Sequence, residues 1–113
     1  MSATYVIRKA RDGQYYFTLQ AGNHKVILTS EVYRKKSGAY TGIHSVKIND
    51  LNDALYKSMV SDDGKPYFVI EAPNHKVIGQ SETYSSPYAM KKGMASVKRN
   101  GPKAPVRDET KVI

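Results

Sequence analysis

Cysteine is absent from the 113 residues, which removes disulfides, thiolate metal sites, iron–sulfur clusters and cysteine nucleophiles together. Tryptophan is absent too, and the aromatic content rests on nine tyrosines and two phenylalanines. No apolar run approaches the roughly 18 residues needed to cross a bilayer. The start, Met1-Ser2-Ala3-Thr4-Tyr5, lacks a charged region followed by an apolar stretch, so a cytoplasmic protein with no membrane contact is expected. The phosphate loop GxxxxGK(S/T), the dinucleotide fingerprint GxGxxG, the GxSxG elbow and the zinc motif HExxH are all missing. Nothing therefore nominates catalytic, cofactor-binding or metal-binding residues, and a protein that is not an enzyme is expected, without a cofactor.

Acidic residues are also scarce, 10 against 18 Lys and Arg, leaving a formal charge of +8. Excess positive charge attracts phosphate backbones and other polyanions, so nucleic acid enters as a possible partner on charge alone. The length suits one domain, and a repeat of about fifty residues would be marginal by itself.

What the chain does have is one motif written twice. Residues 5–49 recur at 56–100 with a constant offset of 51 and no gap. Asp12-Gly13 returns as Asp63-Gly64, and Asn23-His24-Lys25-Val26-Ile27 returns as Asn74-His75-Lys76-Val77-Ile78. Ser30-Glu31 and Tyr33 return as Ser81-Glu82 and Tyr84, while Ser45-Val46-Lys47 and Asn49 return as Ser96-Val97-Lys98 and Asn100. Solenoids and propellers need about three or more units to cover their faces, so two copies point to a pseudo-twofold pair folded as a single domain over residues 1–113, and a monomer.

Within each copy the periodicity changes in the same order. Tyr5 to Lys9 and Tyr56 to Val60 read as strands, followed by Asp-Gly hairpin turns. Tyr15, Phe17 and Leu19 alternate with Tyr16, Thr18 and Gln20, the period of a half-buried strand. Gly22-Asn23 and Pro73-Asn74 turn into a third strand. The spacing then becomes helical at Ala39, Ile43 and Val46 and again at Met90, Met94 and Val97. Gly42 and Gly93 beside those faces suggest a close helix-to-sheet approach. Ser86-Pro87 reads as a helix start, and Asn49 and Asn100 suit a left-handed helix end. The tail, residues 101–113, is read as a short edge strand near Val106 with a frayed end. The segment from Leu51 to Val60 is expected both to close copy one and to open copy two. The fold class is α+β, with two tandem units sharing one mainly antiparallel sheet and both helices on one face.

Several repeated groups invite a functional reading. His24 and His75 have the chemistry of acid–base groups or ligands, yet they lie in turns where Asn, His and Lys are ordinarily solvated. Glu31, Glu82, Tyr33 and Tyr84 join the third strand to the helix, where loops often place binding groups and where the same residues also satisfy free N–H groups. Tyr16 and Tyr67 point away from Phe17 and Phe68 and have the ring faces to stack a nucleobase. Lys47 and Lys98 belong to basic helix faces that either track phosphate or keep the protein soluble.

The blocks Asn-His-Lys-Val-Ile, Ser-Glu-x-Tyr and Gly-x-x-Ser-Val-Lys-x-Asn, each present twice, resemble the YegP-like family of small bacterial proteins, in its duplicated subfamily. The resemblance runs from about Tyr5 to Val106. It implies tandem units of three strands, a helix and a further strand, with exchange of the final strands. It carries no catalytic or binding residues, because the family is a domain of unknown function. The functional expectation is a small basic binding or interaction module. Its alternatives are weak nucleic-acid or polyanion binding and a pair of small-ligand sites at the repeated loops.

Overall fold

The structure is a computed structural model that describes residues 2–110; Met1 and residues 111–113, the end of the expected tail, lie outside the described residues. The first repeat forms β1 (Thr4–Lys9), β2 (Tyr15–Gln20), β3 (Val26–Ser30) and the helix α1 (Lys36–Asn49). The second forms β4 (Tyr56–Val60), β5 (Pro66–Glu71), β6 (Val77–Gln80) and α2 (Pro87–Asn100), followed by β7 (Val106–Asp108).

All seven strands join one sheet in the order β4-β5-β6-β3-β2-β1-β7. The repeats meet at the antiparallel pair of β3 with β6, where Thr29 faces Gln80 and Ser30 faces Gly79. That pair marks the pseudo-twofold. Every neighbouring pair is antiparallel except β1 with β7.

Alternation along the strands puts Tyr5, Ile7, Phe17, Leu19, Phe68 and Ile70 on the helix-facing side, all fully buried. Burying a phenylalanine or leucine contributes roughly 1.5–3 kcal/mol relative to exposure, so these positions anchor both halves. Ala39, Ile43 and Val46 from α1 and Met90 and Val97 from α2 close the same core. Each helix crosses the repeat boundary: α1 covers β2 and the other repeat's β6, and α2 covers β5 and β3. At the centre the symmetry breaks. Gly79 is the counterpart of Leu28, and a Cβ on it would stand 3.2 Å from the Leu28 Cγ and 2.9 Å from the Thr29 carbonyl oxygen.

The final strands are not exchanged reciprocally. β7 crosses to the first repeat, with Tyr5 donating its N–H to Pro105 O and Glu109 donating to Ile7 O. An ion pair from Lys36 to Asp108 fastens it to α1. The segment expected to close copy one does not do so, since β4 pairs only with β5. The residues between α1 and β4 are consumed by a 3-10 turn at Asp53–Leu55, capped by the Asn52 side chain, and Leu55 is buried. No chain remains there to reach β1.

Two local expectations also change. Asn49 and Asn100 are not left-handed: their side chains donate back to Ser45 O and Ser96 O, and the caps that follow them are right-handed. The left-handed positions fall in the hairpins. Residues 10–14, 21–25, 61–65 and 72–76 form the same loop, with the same two backbone hydrogen bonds in each. The third residue after its start has positive φ, and it is Gly13, His24, Gly64 and His75 in turn. Asn23 and Asn74 serve instead as acceptors, taking the N–H of Lys25 and Lys76.

Candidate ligand clefts

Ser30 sits buried at the end of β3; its hydroxyl accepts from Phe17 N at 2.8 Å and donates to Glu31 O at 2.7 Å. Ser81 repeats the arrangement with Phe68 N and Glu82 O. The hydroxyl bends the chain away from the sheet while leaving no orphaned amide there. Three residues on, Tyr33 pairs with Tyr15 and lays its ring parallel to Phe17, with centroids 6.5 Å apart. Tyr84 does the same over Phe68 at 6.4 Å.

Each of these rings runs beneath a helix glycine. A Cβ on Gly42 would overlap the Tyr33 hydroxyl and stand 2.9 Å from Phe17 Cε2, and one on Gly93 would overlap the Tyr84 hydroxyl. The glycines thus make room for a tyrosine wedged between helix and sheet, rather than for contact between the two backbones. Burial raises the pKa of both phenols, and Glu31 and Glu82 add to the shift. The hydroxyls stay neutral and able to donate.

The wedged tyrosines wall two equivalent clefts. In the first, Tyr33 with Ser37, Thr41 and Ser45 of α1 faces Asn74 and Lys76 of the second repeat across about 450 Å³. In the second, Tyr84 with Lys92 and Ser96 of α2 faces Asn23 and Lys25 of the first repeat across about 350 Å³. The matching positions differ by 51. Each cleft therefore joins a helix from one repeat to a hairpin from the other.

The fold brings some of the sequence candidates together and separates others. Tyr33 and Tyr84 line the clefts, but Glu31 and Glu82 are exposed outside them. His24 and His75 are exposed at the hairpin tips, one residue from the lining Asn and Lys. Tyr16 and Tyr67 are half-buried on the sheet face away from the helices, opposite Arg8 and Met59. Lys47 and Lys98 lie over the rings of Tyr5 and Tyr56, at 5.6 and 5.1 Å, and Lys98 also pairs with Asp53. Among the described residues no group of three acids or histidines is close enough to hold a metal ion. No described helix is long and apolar enough to cross a membrane.

Sequence reasoning missed Asp50. It caps α1, is fully buried, and neither carboxyl oxygen has a hydrogen-bond partner. Desolvation raises its pKa to about 7, opposed by the charge of Lys98. Around it Tyr56 donates to Asp50 O at 2.7 Å and Tyr5 donates to Gly101 O at 2.9 Å, the same bond made once by each repeat to the other's helix end. The one visible signal was the mismatch itself, an acid in one copy where the other has Gly101.

A family model described as a domain of unknown function, DUF1508, matches twice, over residues 10–56 and 61–108. A UPF0339 protein of Acinetobacter baylyi is 50% identical over 97% of this chain and 99% of its own. The UPF0339 protein YegP of Yersinia pestis is 47% identical over 94% and 95%. The solution NMR structure of a UPF0339 protein from Shewanella oneidensis superposes with a TM-score of 0.91 at 45% identity, covering 97% of this chain and 93% of that one. The solution NMR structure of yegP from E. coli, a protein of unknown function, superposes with a TM-score of 0.93 at 39% identity, covering 100% of this chain and 97% of that one.

Proposed function

Since the chain belongs to the DUF1508 family, as a tandem pair of that domain, and its relatives' names carry no activity, we propose that it is a non-enzymatic binding module taking small ligands in its two inter-repeat clefts. One observation carries this reading. Both clefts are built from the same positions of the repeat, and each needs residues from both copies. Their linings are mostly apolar and add a neutral tyrosine hydroxyl, at least one serine hydroxyl and an asparagine, the mixture by which concave sites fix a ligand's orientation. A catalytic reading has less support, because His75 meets only Glu71 of its own hairpin, at 3.5 Å and outside the cleft linings, and the buried Asp50 opens on neither cleft.

Nucleic-acid binding has less support as well. Stacking on Tyr16 and Tyr67 would use the sheet face away from the helices, whereas Lys91, Lys92, Lys98 and Arg99 ride on α2. Amide chemical shifts followed across a metabolite panel test the proposal. Ligand-dependent shifts at Tyr33, Ser45, Tyr84 or Ser96 are expected, and a panel that leaves all four unmoved sinks it. Salt-sensitive binding of an oligonucleotide through Tyr16 and Tyr67 would favour the polyanion reading instead.

A further inference from the structure

The two clefts have the same shape but different charge. Lys92 stands where the first cleft has Thr41, and Arg99 stands where α1 carries the exposed Ile48. Lys25 and Lys76 are equivalent, so the second cleft holds one additional cation, Lys92, and Arg99 adds another beside it. A shallow depression bounded by Asn23, Ser96, Arg99 and Asn100 continues that cleft and shares Asn23 and Ser96 with it. We propose that this second cleft binds a small oxyanionic ligand, bearing phosphate or carboxylate groups, through Lys25, Lys92 and Arg99, and that its twin on α1 does not. The proposal rests on the inter-repeat clefts being ligand sites and adds the ligand class.

The local hydrogen bonds point the same way. Asn23 Oδ1 is engaged by Lys25 N, which leaves the amide NH₂ to donate. Ser96 Oγ already accepts from Asn100 Nδ2 at 3.2 Å, which leaves its hydrogen free to donate. Tyr84 keeps its proton. No carboxylate lines either depression, and the free side-chain acceptor there is Asn100 Oδ1, its NH₂ being engaged by Ser96. Lys25, Lys92 and Arg99 are in no ion pair among the described residues, and Lys92 is steadied 5.3 Å from the ring centre of Tyr88. Two cations in the cleft and a third in the depression that continues it, with several donors between, suit an anion with two or more oxygens, since charge-assisted hydrogen bonds are shorter and stronger than neutral ones. Glu82, the acid that helps raise the pKa of Tyr84, lies outside the lining.

Sodium pyrophosphate and citrate, each titrated into the full chain against chloride at matched ionic strength and read by amide shifts, test this. Saturable shifts are expected at Lys25, Lys92, Ser96 and Arg99 and not at Lys76, Thr41 or Ser45. Pyrophosphate and citrate separate phosphate from carboxylate as the preferred group. Lys92→Thr and Arg99→Ile put the twin's residues at exposed positions, and each should weaken binding about tenfold, the loss of one charged hydrogen bond. The double substitution Thr41→Lys, Ile48→Arg should create binding in the first cleft. Equal shifts at both clefts, or at remote lysines such as Lys9 and Lys65, would mean unspecific charge and overturn the assignment. So would tighter binding of an oligonucleotide than of pyrophosphate, or unchanged affinity in Lys92→Thr. Failure with both anions while a neutral metabolite moves Tyr33 or Tyr84 overturns this proposal alone and leaves the clefts as ligand sites.

Discussion

Asp50 fills the space that Gly101 leaves open. The two residues hold the same place in the two repeats, and a side-chain carbon on Gly101 would overlap the Asp50 carboxylate and stand 2.9 Å from Val97 O. The ends of both helices close on this point. The groups facing the carboxyl are the hydroxyls of Tyr5 and Tyr56, both with pKa raised by burial and by Asp50 itself, and the ammonium of Lys98.

The first prediction concerns pH. Asp50 titrates at 3.8 when unperturbed and near 7 in the fold, so between those values the folded chain keeps a proton that the unfolded chain has released. Its contribution is therefore most favourable below the lower value, declines as pH rises, and levels off above about 7, at up to about 1.4 kcal/mol per unit. Asp108, held down to about 2 by Thr110 and Lys36, acts in the opposite sense and only as the pH falls below the ordinary carboxylate range. Urea unfolding at pH 5 and pH 8 should show a drop in stability for the natural chain and a much smaller one for Asp50→Asn.

Ser30→Ala and Ser81→Ala should each cost about 1–3 kcal/mol, the penalty for leaving a buried donor unsatisfied. The donors are Phe17 N and Phe68 N, in the middle of the core strands. Denaturant midpoints check the size. Faster hydrogen exchange at those two amides checks the cause.

Gly42→Ala and Gly93→Ala gain roughly 1 kcal/mol of helix propensity but overpack the wedged tyrosines, and a net loss of about 1–2 kcal/mol is expected. The two sites should respond differently to removal of the hydroxyl. Tyr84→Phe should recover only a small part of the Gly93→Ala loss, because the ring carbon Cζ of Tyr84 still stands 2.5 Å from the added carbon. Tyr33→Phe should recover more at Gly42, where the nearest remaining atoms, Phe17 Cε2 and Tyr33 Cζ, stand at 2.9 and 3.0 Å. A double-mutant cycle at each pair measures the difference.

Cutting the chain after Asn52 should give halves that are unfolded or weakly self-associated alone and that combine one to one. A homodimer of the first half would set Leu28 against Leu28 and Asp50 against Asp50, where the whole chain has Gly79 and Gly101. Only the mixed pair also supplies β7 to the edge of β1. Sedimentation and circular dichroism of the halves, separate and mixed, decide it; two stable monomeric halves would refute the interlocked core.

Most of the architecture was legible because it is local. Phe17 and Leu19 alternate, Ala39, Ile43 and Val46 follow a helical period, and Ser86 caps α2 through Ala89 N, as their order in the chain implies. Misreadings arose where one residue type has two uses. Asn49 bonds back into its own helix instead of ending it left-handed, and His24, read as a solvated turn residue, takes the left-handed position of its hairpin. The clefts were not legible, since Lys25 and Tyr84 are 59 positions apart and meet only because each helix crosses the repeat boundary. Asp50 looked like an ordinary polar helix end, and its burial depends on Gly101 and Tyr56 from the other copy.

The close fit of Leu28 over Gly79 also constrains the order in which the sequence could have changed. Between two identical repeats whatever stands at this position faces itself, and a leucine there meets its own image. Within one chain the two copies are free to differ. Space then had to open at one before bulk was tolerated at the other, so each substitution is conditional on its partner. Related chains should show the two positions changing together, with bulk at one accompanied by glycine or alanine at the other, and Gly79→Leu should be tolerated only beside a reduced side chain at position 28.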